Sequence, residues 1–139
     1  MFEKIYKIQN SRTYKRLRTD YLIKYQTAGS SQEPFVANLK DISAGGLRFW
    51  SDHYVSEGVL LKVSIWVPVI DQILEGLVRI VRVRQAKGRL LYYLAARFVE
   101  IAPGIQAALN RFIENLAENP AAKGLIEDET IVKRTAVKK

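Results

Sequence analysis

The sequence predicts an all-β domain with an α cap: a small antiparallel barrel or sandwich of six strands, followed by a C-terminal helix. Three observations carry that expectation. Six short runs rich in branched and aromatic residues follow one another, separated by clusters of Gly, Ser and Pro. The hydrophobic period then changes from two to about 3.6 beyond Ile101. Finally, 139 residues with 48% apolar content suffice for one core. No apolar run approaches the ~20 residues of a membrane-spanning helix.

The elements follow in order. "YLIKYQT" (Tyr21–Thr27) alternates apolar and polar residues, the period of a half-buried strand. "AGSSQEP" is a turn-forming cluster. "FVANLKDI" and "GLRFWS" read as the second and third strands, joined by a turn at Ser43–Gly46. "VLLKVSIWVPV" reads as the fourth, with Val63, Ile65 and Val67 on one face. "ILEGLVRIVRVR" is a long fifth strand expected to relax at Gly76. "QAKG" supplies a hairpin turn, and "RLLYYLAARFVEI" returns as the sixth strand. From Ala102 to Asn119, residues Ile105, Leu109, Phe112, Ile113 and Leu116 fall on one helix face. Pro103 suits the first turn of that helix, and Asn119–Pro120 ends it. The domain boundaries read as a flexible basic arm over 1–11, the barrel with its helix over 12–119, and a mobile tail over 120–139.

Several chemistries are excluded by what the chain lacks. Without cysteine there is no disulfide framework, thiol nucleophile or zinc finger. The single histidine, His53, sits in the loop-like "SDHYVSEG" and reads as solvated rather than as part of a triad with Ser43 and Asp41. One histidine and no cysteine leave a transition metal without its usual ligands, so no metal site is expected. The glycines of "SAGGL" precede a strand and lack the lysine of a phosphate loop. The expectation is a non-enzyme without a cofactor. "MFEKIYKIQNSR" lacks the apolar stretch of a signal peptide, and a cytoplasmic location is expected.

The net charge of +8 is unevenly placed. Residues 1–19 carry six cations against Glu3 alone, a net of +5. Such an arm favours a polyanion, a membrane surface or a phosphate-bearing ligand. Within it, Arg12 and Arg16 stand four residues apart, and guanidinium forks pair bidentately with phosphate oxygens or with the O6 and N7 edge of guanine. Twenty-five residues beyond Arg16 comes "DISAGG". There the Asp41 carboxylate can accept from N–H groups, Ser43 can donate or accept, and Gly45–Gly46 allow a close backbone turn. Trp50, Trp66, Tyr92 and Tyr93 read as core or strand-surface residues rather than stacking platforms.

Arg12-x-x-x-Arg16 followed by Asp41-x-Ser43-x-x-Gly46 resembles the paired signature of the PilZ domain family, which binds the bacterial second messenger cyclic di-GMP. The resemblance runs from about Arg12 to Leu116 and takes in "GGLRF", "VRIVRV", "ARFVEI" and the closing helix. It implies a six-stranded β-barrel with a C-terminal helix, and a receptor without catalytic activity. It also implies that Arg12 and Arg16 hold phosphates and guanine faces, that Asp41, Ser43 and Gly46 read a guanine, and that Arg82 supplies a stacking contact. Lys15 stands where many members have proline, and Thr13 where another arginine is common. One bound ligand and an intercalated pair both remain open. The expected partners are cyclic di-GMP and a downstream protein, with no transmembrane segment and nucleic acid set aside. The alternatives are a basic barrel binding RNA or single-stranded DNA, and a ligand-blind PilZ-like adaptor.

Overall fold

The computed structural model describes residues 14–127. Its strands are β1 (Arg16–Arg18), β2 (Leu22–Thr27), β3 (Phe35–Ile42), β4 (Gly46–Ser51), β5 (Leu60–Val67), β6 (Gln72–Gln85), β7 (Tyr92–Ile101) and β8 (Ile126–Glu127), with helix α1 (Pro103–Ala117) between β7 and β8. The hydrogen-bonded order is β2-β5-β6-β7-β4-β3-β1-β8, and β2 also pairs with β3. That extra pairing closes β2 to β7 into a six-stranded antiparallel barrel, as the sequence predicts. β1 and β8 are additions to it.

Alternation decides which residues fill the barrel. Along β5, Leu61, Val63, Ile65 and Val67 point inward and are buried, while Lys62 and Trp66 face out. Ile23 and Tyr25 of β2, Leu47 and Phe49 of β4, and Leu94 and Ala96 of β7 complete the same interior. Within it, the Tyr25 hydroxyl shares a 2.6 Å hydrogen bond with Ser51 Oγ. That bond settles a polar group that burial alone would leave costly.

One edge of β3 serves two strands. Its first half, residues 35–38, pairs with β2, and Asp41 and Ile42 pair with β1. The chain bends between them at Thr19–Tyr21, where Thr19 N–H donates to the Lys40 carbonyl and Leu39 N–H to the Tyr21 carbonyl. Leu17, 4% exposed, anchors β1 in the core between outward-facing Arg16 and Arg18.

The expected relaxation at Gly76 is a close approach instead. A β-carbon there would lie 2.6 Å from the Glu100 carbonyl oxygen of β7. The irregularities fall just beyond it, between Leu77 and Val78 and between Ile80 and Arg82. Bulges of this kind bend a long strand around a small barrel.

Helix α1 starts at Pro103, where a missing N–H costs nothing, and Gln106 N–H donates to the Ala102 carbonyl. Leu109 and Ile113 are fully buried on its inner face. The segment 120–139, expected as a mobile tail, begins with ordered structure. Pro120–Leu125 form a 3₁₀ turn capped by Asn119, whose side chain accepts from Ala121 N–H, and β8 then pairs with β1. Too short to leave a periodic pattern, these residues owe their order to backbone pairing with a strand that the sequence also hides.

Candidate functional site

The Ser43–Gly46 turn is built by its own residues. Ser43 N–H donates to the Gly46 carbonyl at 2.8 Å, and Ser43 Oγ accepts from the backbone N–H of Gly45 at 3.1 Å and of Gly46 at 3.2 Å. Gly46 has no room for a side chain, since a β-carbon would collide with the Ala96 carbonyl of β7. Gly45 lies under the Tyr14 ring, where a β-carbon would come 3.0 Å from that ring. Two neighbours then fix the turn from outside: Gln106 of α1 donates to the Ala44 carbonyl at 2.9 Å, and Phe98 N–H donates to the Gly45 carbonyl. The turn is therefore a rigid wall, and the serine hydroxyl is largely consumed in making it.

Beside this wall lies a cleft of about 260 Å³. Tyr14, Arg16, Ser43, Gly45, Gly46, Arg48, Arg82, Tyr93 and Arg97 are among the residues that line it. Among the described residues, no carboxylate lines it. Of the residues singled out from sequence, Arg16, Ser43, Gly45, Gly46 and Arg82 meet here. Arg12 lies outside the described residues. Asp41 is near but differently employed: it is 1% exposed and grips Arg48, whose Nε lies 3.0 Å from Oδ1 and 2.7 Å from Oδ2, with Nη2 also on Oδ2.

Register explains the pairing. A bulge at Lys40 separates Leu39, which faces the core, from Asp41, which stands opposite Arg48 on β4 and Arg18 on β1. The carboxylate is thus set between two arginine-bearing strands, and what it presents to the cleft is the guanidinium of Arg48. Arg48 also lies 5.9 Å from the centroid of Tyr93, and Lys40 Nζ 5.4 Å. Burial holds the Tyr93 phenol above its ordinary value, against the pull of the Arg48 charge.

Tyr14, Arg48, Tyr93 and Arg97 are cleft residues that the sequence did not single out. Tyr93, read there as a core or strand-surface residue, is half-buried and sits 5.2 Å centroid to centroid from Trp50. His53 is engaged away from the cleft: its Nδ1 is 2.7 Å from Asp52, and its ring lies 3.9 Å from that of Phe35. Among the described residues there is no cluster of three or more metal-ligating side chains, and no helix is long and apolar enough to cross a membrane.

Together, the barrel and its helix define a PilZ-type domain. The PilZ domain model matches residues 10–115, and the chain belongs to the PilZ domain family, a family of cyclic di-GMP receptors. No curated protein matches the chain significantly. Solved structures with the same fold include the Bacillus subtilis inhibitor of motility MotI/DgrA, at TM-score 0.66 and 20% identity over 78% of this chain and 53% of that one. The PilZ domain of YcgR from Escherichia coli with c-di-GMP gives 0.59 and 19%, covering 81% and 95%. The MrkH–c-di-GMP complex of K. pneumonia gives 0.61 and 18%, covering 81% and 54%. This chain thus spans about half the length of MotI/DgrA and of MrkH.

Proposed function

We propose that this chain is a cyclic di-GMP receptor that does no chemistry on its ligand and passes the signal to a partner protein. One observation carries the reading: β1 brings Arg16 against the Ser43–Gly46 wall in a cleft lined by arginines and, among the described residues, by no carboxylate. Guanidinium forks there suit phosphates and guanine edges, and Gly45 and Gly46 let a flat base lie close to backbone. Arg12, the other arginine of the motif, stands two residues ahead of Tyr14 in the sequence.

The signal leaves through the N-terminal segment. Arg16 belongs to a strand whose neighbour Lys15 bonds Glu114 of α1 at 3.2 Å, linking the cleft to the helix. Ligand contacts with Arg12 and Arg16 order the segment ahead of β1 and change the surface offered to a partner.

Calorimetric titration tests the reading. Cyclic di-GMP should bind saturably, and cyclic di-AMP at least about tenfold more weakly, because adenine offers an acceptor where guanine donates. Hydrogen exchange across residues 6–18 should slow on ligand addition, most of all ahead of β1. Equal affinity for the two dinucleotides would remove the guanine assignment, and unchanged exchange at saturating ligand would place the signal elsewhere.

A further inference from the structure

Beyond the cleft, the outer face of β4, β7 and β6 carries ordered cross-strand rows. Register aligns Trp50, Tyr93 and Arg84 in one row, Arg48, Ala95 and Arg82 in the next, and Gly46, Arg97 and Arg79 in a third. Lys40, at the bulge of β3, reaches over the Tyr93 ring of the first row. A second depression, of about 430 Å³, lies over this face. Lys40, Trp50 and Arg84 belong to it alone, whereas Arg48, Arg82 and Tyr93 are shared with the cleft. Among the described residues, no carboxylate lines either depression. Among the described residues, Lys40, Arg82, Arg84 and Arg97 are in no ion pair.

We propose that this face binds a single-stranded nucleic acid, with a base against Trp50 and Tyr93 and phosphates on Lys40, Arg82, Arg84 and Arg97. Three features favour that partner. Trp50 is 37% exposed within the sheet beside Tyr93, with Arg84 at the end of that row and Lys40 over the Tyr93 ring, and unstacked bases lie on aromatic and guanidinium planes. A membrane-binding surface instead needs apolar side chains projecting past the cations to enter the acyl region. The two depressions also adjoin through shared residues, giving a path longer than one nucleotide. The paired motifs set nucleic acid aside in the sequence, and only strand register brings these separated cations together. The proposed face shares Arg82, Tyr93 and Arg97 with the cyclic di-GMP cleft and departs from it at Lys40, Trp50 and Arg84, which do not line the cleft.

Fluorescence anisotropy with a labelled oligo-dT of about 12 nucleotides, within the range small barrels occupy, tests it. Binding should weaken with salt with a log–log slope of about −3, as expected for four neutralised phosphates on a single strand. In a Trp66→Phe background, binding should quench Trp50 emission. Trp50→Ala should weaken binding by about tenfold or more while Trp50→Phe retains most of it, and Arg84→Glu should weaken it and flatten the slope. Circular dichroism confirms that each variant folds. Absence of binding, a Trp50→Ala variant that binds like the parent, or duplex DNA or phosphatidylserine vesicles bound as tightly as the strand would each overturn the proposal.

Discussion

Arg48 holds both carboxylate oxygens of Asp41 across the β3–β4 pair, and Asp41 has almost no contact with solvent. A fully desolvated carboxylate depends on its partner more than an exposed one does. Any ligand that reads Asp41 has to share or displace this guanidinium, so the pair is at once a structural bond and the competitor at the binding site.

Removing only Arg48 should therefore cost more than removing both partners. Arg48→Ala leaves a buried charge and should destabilise the fold by about 3 kcal/mol, a sizeable share of a small domain's stability. The Asp41→Ala/Arg48→Ala double variant should recover part of that loss. Urea denaturation of the parent, Asp41→Ala, Arg48→Ala and the double variant gives the coupling directly, and strictly additive losses would show that the pair contributes nothing as a pair.

Arg16 and Arg18 provide a contrast at equal charge. Arg16 lines the cleft, whereas Arg18 does not and stands opposite Asp41 in register. Arg16→Ala should weaken cyclic di-GMP binding by roughly ten- to hundredfold, and Arg16→Lys should fail to restore it. The Arg16→Ala defect should persist at high salt. Matching losses for Arg16→Ala and Arg18→Ala at every salt concentration would leave only a diffuse field.

The two glycines of the turn should separate stability from binding. Gly46→Ala drives a methyl group into the Ala96 carbonyl and should lower the melting temperature, at a cost of about 1–3 kcal/mol. Gly45→Ala meets only the edge of Tyr14, a side chain that can swing away. Its effect should appear in ligand affinity with the melting temperature nearly unchanged. A reversed order of effects would mean that the wall is held by something other than the β4–β7 contact.

Tyr25 makes stability depend on pH at the alkaline end. Burial raises its pKa above the ordinary 10.0, so the folded state prefers the neutral phenol. The unfolded chain loses that proton first as pH rises, so this stability is fully present below pH 10 and is lost above it. Tyr25→Phe should cost about 1 kcal/mol at neutral pH through the lost Ser51 bond, and should flatten the alkaline decline in thermal melts. An unchanged decline would assign it to other groups.

Much of this architecture was legible in the sequence. "FVANLKDI" and "GLRFWS" coincide with β3 and β4 because alternation is strong and a turn bounds both. β1 escaped because a three-residue strand with one inward residue, Leu17, has no period. β8 is shorter still. Of the cations that line the cleft, Arg16 was singled out by motif and Arg82 by the family resemblance, but Arg48 was not singled out. Counting outward from the turn would have found it: Ile42 opposite Leu47 places Asp41 opposite Arg48. The bulge at Lys40 lies just beyond that rung and leaves the count intact. Tyr93 could not be read in this way, since its place depends on β7 register to a strand more than forty residues earlier.

In the sheet order β8 is the outermost strand and lies on β1. Among the described residues it adds two rungs, Arg16 to Glu127 and Leu17 to Ile126. If it peels away, β1 exposes its backbone donors and acceptors beside the cleft, a template for an incoming extended peptide. Arginines on both sides of Leu17 make that template selective, since a basic or purely apolar strand gains little there. The β1–β8 seam thus offers a place for edge-to-edge association, and it shares Arg16 with the cleft.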